Sequence, residues 1–243
     1  MTPENKFPLM PIQQGSTDLQ KQEEYVDDAM VEASDLYVPT LKVLQGMSDE
    51  VKAGKARPGK FWNPYTNKEL DSPQQVVIIF HQKTRAMMES GPNDPEKRER
   101  CMSFDLVNGT VYGECEQCQY KDWNARTPPL CSMSHVFIAF TPDGPLAVRF
   151  RKKSEKDARQ FLTSKQVQKV NWWTYATVLE IKKQIGTDTT GRPAEYYAPA
   201  IAWDKTLPVS EELRTQARAF NSVLTAAHAA GRLKADAVEG DDA

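Results

Sequence analysis

Residues 135–150 have the sequence HVFIAFTPDGPLAVRF, in which two apolar runs flank the turn-forming pair Asp143-Gly144. An Asp-Gly pair between two β-prone runs is a strong hairpin signal, because both residues tolerate the backbone angles of a tight turn. Upstream, residues 76–80 (VVIIF) are continuous and mostly β-branched, which is typical of a strand buried on both faces. Together the two stretches predict an antiparallel sheet at the centre of the fold.

Strand patterns continue on both sides of this centre. Residues 36–46 alternate apolar and polar residues, and residues 56–62 predict a turn followed by a second short strand. Residues 63–73 are turn-rich and predict a link. Downstream, residues 172–185 and 195–203 are β-prone runs joined by a loop, which predicts a second hairpin.

Two helices are predicted, and both begin at a serine. Ser154 is placed to cap a helix whose apolar stripe includes Phe161 and extends to Val167, amid several lysines. Ser210 is placed to cap the second helix, which ends at Gly231 and has acidic residues in its first turn, where they favour the helix dipole. The sequence therefore predicts an α+β fold with a mixed, mostly antiparallel sheet of about six strands.

The net charge of −2 conceals an uneven distribution along the chain. Residues 1–35 have two basic residues against eight acidic ones, and residues 235–243 have four acidic residues and no basic one. Residues 36–234 therefore carry 29 basic against 21 acidic residues, a net charge of +8. A basic folded part between acidic ends is typical of a protein that binds a polyanion. Acidic ends that only improve solubility would give the same totals.

The same composition divides the chain into four segments. They are an acidic, largely disordered arm (1–35), a β domain (36–208), a C-terminal helix (209–231) and an acidic tail (232–243). The chain starts without a signal-peptide pattern, and its longest aliphatic run is too short to span a bilayer. We therefore expect a soluble cytoplasmic protein that does not interact with membranes.

All four cysteines fall in one polar insertion, at Cys101, Cys115, Cys118 and Cys131. The close pair follows Gly113 and is separated by two residues, so a turn can direct both thiolates at one tetrahedral ion. The two flanking cysteines complete a closed four-sulfur shell, which stabilises structure and leaves no position for a reactive water. Because the insertion has few apolar residues, we predict one structural zinc site that replaces the missing core.

Other uses of these residues stay open. An iron–sulfur cluster would take the same four ligands. The thiols could also be reduced and unconnected. His81 or His135 could replace one cysteine as a ligand, although each is expected to be a strand residue with an ordinary partner.

Aromatic and basic residues are interleaved in several places, a composition that suits single-stranded nucleic acid. Bases stack on aromatic rings for roughly 1 to 3 kcal/mol each, and neighbouring cations neutralise phosphates. The candidate stacking residues are Trp62, Trp123, Trp172 and Tyr175. The candidate phosphate contacts are Lys60, Arg149, Arg151, Lys152 and Lys182.

The acidic tail gives an independent indication of the same partner. Its carboxylates are Asp236, Glu239, Asp241 and Asp242. A tail tethered to a basic groove competes with a polyanion, and once displaced it is free to recruit other proteins.

In combination, the basic aromatic region 36–208, the cysteine insertion and the acidic tail resemble a phage-type single-stranded DNA-binding protein. The resemblance implies an oligonucleotide-binding-like (OB-like) β-barrel, with a zinc-binding insertion at residues 98–132 and a C-terminal helix. It also implies a non-enzymatic role in phage DNA replication or recombination, with the tail docking proteins of those processes. The chain departs from the class in two respects. It offers four cysteines where such a module can use three and a histidine, and its tail lacks a terminal aromatic residue.

Two other functions fit parts of the pattern. Pro142-Asp143 followed by Glu180-Ile181-Lys182 resembles the PD and ExK elements of restriction-like, metal-dependent nucleases. A hairpin turn and a half-exposed strand explain the same residues. A zinc-stabilised protein-interaction or transcription-regulatory module would share the metal and the fold but would bind single-stranded DNA weakly. No phosphate-binding glycine loop and no nucleophile–base grouping can be assembled, so we expect a protein that is not an enzyme.

Overall fold

The computed structural model describes residues 37–87, 90, 98–124, 129–141, 143–187, 192–231 and 233–235. The strands are β1 (Tyr37–Val38), β2 (Lys42–Val43), β3 (Phe61–Asn63), β4 (Lys68–Leu70), β5 (Gln74–Met87), β6 (Cys101–Ser103), β7 (Asn108–Gly109), β8 (Gly113–Glu114), β9 (Ser132–Thr141), β10 (Gly144–Arg151), β11 (Tyr175–Thr187), β12 (Pro193–Pro208) and β13 (Lys234–Ala235). The helices are α1 (Asp49–Lys52), α2 (Glu155–Gln168) and α3 (Glu211–Ala229). None of these helices is both long and apolar enough to cross a membrane. The described residues thus form a mostly antiparallel α+β fold, as the sequence predicts.

The central sheet is antiparallel and has the strand order β10-β9-β5-β11-β12, with β6 paired to the end of β5. The hairpin predicted at Asp143-Gly144 is confirmed. Gly144 pairs with Thr141 and has a φ of 121°, which favours glycine. The predicted central strand is also confirmed, although β5 continues beyond residue 80 to Met87.

Helices cover both faces of this sheet. On one face α3 packs against β5, where Leu224 and Ile79 share a core cluster. On the other face α2 contributes Phe161 to a cluster that contains Ile78. Neighbouring residues of β5 enter different clusters because successive side chains of a strand point to opposite faces. The predicted cap of α3 is confirmed, since the Ser210 side chain accepts a hydrogen bond from the first turn.

Residues 39–45 connect the two edges of the sheet. At one edge, the Leu41 N–H donates to the Ala147 carbonyl on β10 (2.8 Å). At the other edge, the Gln45 side-chain amide donates to the Tyr197 carbonyl on β12 (2.8 Å) and accepts from the Tyr197 N–H (2.9 Å). The sheet therefore curls in a barrel-like manner. Among the described strands, however, β10 and β12 do not pair, so the predicted barrel is not closed.

Four predictions about local structure are wrong. Ser154 precedes α2, but its side chain makes no capping hydrogen bond to that helix. Residues 63–73, predicted to be a link, contain β4, which pairs with β3. Residues 172–174, predicted to begin a strand, form a turn before β11. In this turn the Thr174 N–H donates to the Asn171 carbonyl (3.1 Å). Val167, which was expected on the buried stripe of α2, is 75% exposed.

The fold continues past the predicted end of the C-terminal helix. Leu233 is 1% exposed and lies in the core cluster of α3, and β13 pairs in parallel with β1. The segment predicted as a tail (232–243) therefore begins with residues that belong to the fold. The predicted arm (1–35) and the tail residues Asp236, Glu239, Asp241 and Asp242 lie outside the described residues.

Candidate functional site

A basic segment follows the second strand of the central hairpin. Residues 149–169 contain eight lysines and arginines against two carboxylates. β10 ends at Arg151, and a 3-10 turn (Lys152–Ser154) leads into α2. The Ser154 hydroxyl stabilises this turn by accepting from the Arg151 N–H and donating to the Arg151 carbonyl, both at 2.9 Å. Lys152 and Lys153 are exposed to solvent.

The outward side of α2 extends this positive surface. The helix buries Ala158 and Phe161, which leaves its opposite side open to solvent. A shallow groove of about 800 Å³ runs there. Its lining, named here the basic α2 surface, consists of Lys152, Glu155, Lys156, Arg159, Gln160, Thr163, Ser164, Val167 and Gln168. The groove thus combines three cations with side chains that donate hydrogen bonds.

Carboxylates neutralise only part of this charge. Within α2, the Arg159 Nε donates to Glu155 Oε1 (3.0 Å). Lys182, one of the predicted phosphate contacts, is on β11 and lies 3.8 Å from the Asp157 carboxylate of α2. Two further predicted contacts, Arg151 and Lys152, lie in the connection that enters α2. The structure therefore brings three of the predicted cations to the vicinity of one helix.

The remaining predicted phosphate contacts are placed differently. Arg149 is half-buried on β10. Lys60 forms an ion pair with Asp71 and immediately precedes β3. Neither residue lines the groove along α2.

The four predicted stacking residues do not form one accessible surface. Trp62 is 6% exposed and packs in the core, where no base can reach its ring, so its prediction as a stacking residue is wrong. Trp172 is half-buried in the cluster beneath α2, and Lys165 Nζ lies 4.3 Å from the centre of its ring. Tyr175 is half-buried at the start of β11. Trp123 is 67% exposed in the cysteine insertion, so its ring is accessible to a ligand.

Two histidines, His135 buried and His81 half-buried, form a pair beneath the first turn of α2. His81 Nε2 on β5 lies 3.0 Å from His135 Nδ1 on β9. Burial is the main cause that lowers the pKa of His81 to about 3, and the nearby His135 and lysines add to it. Burial also lowers the pKa of His135, against the effect of Glu155, whose carboxylate is 3.9 Å from His135 Nε2. Both imidazoles are therefore neutral at pH 7.

The register between β5 and β9 explains why the two histidines meet. His81 is opposite Phe137, and His135 is opposite Lys83. The two histidines are therefore diagonal neighbours on one face of adjacent strands, where side chains interact. Their mutual contact confirms the expectation that each has an ordinary partner, and neither lines the cysteine cavity.

The first and last cysteines are assembled at the end of β5. Cys101 starts β6 and pairs with Met87. Cys131 directly precedes Ser132, which pairs with Ala86 on the other side of β5. Two strands that flank β5 therefore bring together cysteines that are distant in the sequence.

The other two cysteines reach the same place through the turn after β8. The Cys115 N–H donates to the Val107 carbonyl (2.7 Å), and the Cys118 N–H donates to the Cys115 carbonyl (3.4 Å). All four cysteines line one cavity of about 10 Å³. None is in a disulfide, and Cys101, Cys115 and Cys131 are buried. As they stand, no three His, Cys, Asp or Glu side chains in the described part of the chain are grouped closely enough to hold a metal ion.

Two residues of the nuclease interpretation, Asp143 and Lys182, have partners in the local fold. Asp143 accepts a hydrogen bond from the Asn63 amide at the hairpin turn (2.7 Å). Glu180 is exposed on β11, and Lys182 faces Asp157 on α2. Each of these contacts is explained by the local fold.

Comparison with known proteins gives one match. A family model described as Pam3 phage gp34-like protein matches residues 13–230. The matched range contains the central sheet, the cysteine insertion, the basic α2 surface and α3. No curated protein and no solved structure matches the chain.

Proposed function

The chain belongs to the family of Pam3 phage gp34-like proteins, and we propose that it is a non-enzymatic single-stranded DNA-binding protein. It acts in phage DNA replication or recombination, in the cytoplasm of the host cell. The basic α2 surface is the observation on which this proposal depends.

Lys152, Lys156 and Arg159 supply the electrostatic part of the binding. These cations line one groove, so a nucleic-acid backbone laid along it has several phosphates neutralised at once and releases its counterions. Gln160 lies in the same groove, next to Arg159, and its amide can donate a hydrogen bond to a phosphate oxygen. Such contacts are independent of base sequence, as a coating protein requires.

Aromatic side chains beside the cations favour single strands over duplexes, because only unpaired bases expose their faces for stacking. Tyr196 on β12 adds a half-buried ring, whose centre lies 5.2 Å from Lys153 Nζ. Trp123, in the cysteine insertion, adds an exposed ring. The curled antiparallel sheet supports the OB-like assignment, since OB folds bind single strands with stacking residues and a basic groove.

The acidic tail has a regulatory part in this proposal. Asp236, Glu239, Asp241 and Asp242 compete with DNA for the basic α2 surface. When DNA binds, the tail is released and docks replication or recombination proteins.

Exposed apolar side chains favour a second candidate function. Four of them lie within the cysteine insertion: Val107 (58% exposed), Val111 (43%), Trp123 (67%) and Leu130 (45%). Such residues are typical of protein contact surfaces. A zinc-stabilised protein-interaction or transcription-regulatory module would use them and would have no need of the cations on α2.

A titration of the full chain with labelled oligo-dT and with a matched duplex distinguishes these functions. Three neutralised phosphates predict that affinity for oligo-dT falls roughly twentyfold between about 50 and about 200 mM salt, because log affinity changes by about −0.7 per contact for each tenfold rise in salt. The duplex should bind more weakly. An absence of oligo-dT binding at low salt would favour the interaction module, and cleavage on addition of Mg²⁺ would contradict the non-enzymatic assignment.

A further inference from the structure

We propose that Cys101, Cys115, Cys118 and Cys131 bind one Zn²⁺ ion through their thiolates, as a structural centre for the insertion between β5 and β9. The proposal is independent of DNA binding. It depends on the convergence of the cysteines, the size of the cavity they line and the weak apolar packing around them.

The convergence of the four thiols results from pairing, not from proximity in the sequence. The flanking cysteines meet at the end of β5 because Cys101 pairs with Met87 and Cys131 precedes the residue that pairs with Ala86. Backbone hydrogen bonds direct the close pair toward them. In addition to the hydrogen bonds within the turn, the Cys131 N–H donates to the carbonyl of Tyr120, which follows the close pair (2.9 Å). The backbone thus already brings one ligand from each of two strands and two ligands from one turn to a common point.

The cavity has the size of a single ion. Its volume of about 10 Å³ corresponds to roughly one water-sized sphere. Four thiolates at about 2.3 Å from a central Zn²⁺ fill a tetrahedral shell, so binding the ion requires the cysteine side chains to move from their present positions toward the cavity. An iron–sulfur cluster contains several iron and sulfide atoms, so it needs a larger space than this cavity provides.

The glycine beside the cavity preserves this space. A Cβ atom on Gly109 would lie 2.8 Å from Cys101 Sγ and 3.9 Å from Cys115 Sγ. Since Cβ atoms do not approach other atoms within 3 Å, the position accepts only glycine unless a sulfur moves. The backbone therefore approaches the sulfurs as closely as it can.

In the described part of the insertion, apolar packing is limited. Its core cluster consists of Met87, Cys101 and Cys131, with Tyr112 and Tyr120 packed against it. Three of the thiols are buried without a disulfide. A metal ion supplies the stabilisation that such a small apolar cluster does not.

Arg85 gives the site a matching charge. A Zn²⁺ ion with four thiolates has a net charge of −2, and Arg85 lines the same cavity. A cation in the surroundings of a thiolate centre offsets its excess negative charge. Arg85 precedes the cysteine insertion in the sequence. It reaches the cavity because β5 continues to Met87.

The first test is the metal content of the full chain, purified without chelator. We expect one zinc per chain, and exchange with Co²⁺ should give the visible absorption bands typical of tetrahedral thiolate ligation. A protein that contains no zinc, that fails to bind Co²⁺ in this geometry and that has four thiols reacting freely with a thiol reagent would overturn the proposal. Stoichiometric iron with sulfide would overturn it as well.

Variants then test the ligand set. Cys118→Ser should lower zinc affinity at least tenfold in a chelator competition, whereas Met102→Leu, at a cavity-lining residue that is not a ligand, should bind zinc as the wild type does. Cys118→His restores a ligand and should bind Co²⁺ with shifted bands, which separates loss of a ligand from loss of folding. Wild-type zinc affinity in Cys118→Ser would show that the four-cysteine assignment is wrong. Oligo-dT binding is not a readout here, so failure of this proposal leaves the proposed function untouched.

Discussion

His81 and His135 form a hydrogen-bonded pair of neutral imidazoles, with 3.0 Å between Nε2 and Nδ1, at the place where α2 meets the sheet. The Glu155 carboxylate, on the first turn of α2, lies 3.9 Å from His135 Nε2. The pair thus lies between the strands of the sheet and the first turn of the helix that bears the basic α2 surface. Protonation of either ring would place an additional charge in a buried site.

The first prediction concerns acid stability. The pKa of His81 is about 3 in the folded chain, against an ordinary value of 6.5, so below pH 6.5 the unfolded chain binds more protons. The free energy of unfolding is therefore fully maintained above pH 6.5 and decreases as the pH is lowered. This one group accounts for a decrease of about 2 kcal/mol between pH 6.5 and pH 5. In urea unfolding, His81→Gln should lose less stability over this interval than the wild type. Equal losses in both proteins would contradict this explanation.

The second prediction concerns the connection between the edges of the sheet. The Gln45 side chain exchanges two hydrogen bonds with the backbone of Tyr197. Gln45→Ala removes both and leaves part-buried backbone groups unpaired, so the free energy of unfolding should fall by about 2 kcal/mol. Gln117→Ala is the matched control, because the Gln117 amide contacts Glu114 on the exposed surface. If the two variants lose the same stability, Gln45 does not hold the edges together.

The third prediction compares two glycines. A Cβ on Gly109 would meet Cys101 Sγ at 2.8 Å, whereas a Cβ on Gly46 would meet nothing within 4 Å. Gly109→Ala should therefore destabilise the chain by about 1 to 3 kcal/mol through overcrowding. Gly46→Ala should be neutral or stabilise it by less than about 1 kcal/mol. Thermal or urea unfolding measures both, and equal effects would indicate that the cavity wall is not close-packed.

Elements with strong local signals were predictable from the sequence. The hairpin depends on Asp143-Gly144 between two apolar runs, and α3 depends on its cap at Ser210 and its apolar stripe. Contacts between distant segments were not predictable. The pairing of β1 with β13, the Gln45–Tyr197 contact and the histidine pair all require a register that no local pattern specifies.

In the candidate site, too, local features were predictable and contacts between separate residues were not. The clustering of basic residues in the sequence predicts the cations at residues 151 and 152, but it does not show that Lys156 and Arg159 share a groove with Lys152. Their common groove becomes evident once α2 is a helix with a defined buried side. Interleaving with basic residues predicts a binding role for Trp62, but proximity in the sequence cannot show which way a ring packs, and this ring is buried.

The most direct test of the proposed function is the affinity of Lys152→Ala/Lys156→Ala for labelled oligo-dT, measured across a range of salt concentrations. The control is Lys52→Ala/Lys55→Ala, which removes the same charge from exposed lysines at and just after α1. Loss of two phosphate contacts predicts at least roughly tenfold weaker binding at low salt and a salt slope smaller by about 1.4, while the control keeps wild-type values. Equal affinities and slopes for the two double variants would contradict the assignment of the basic α2 surface as the DNA-binding site.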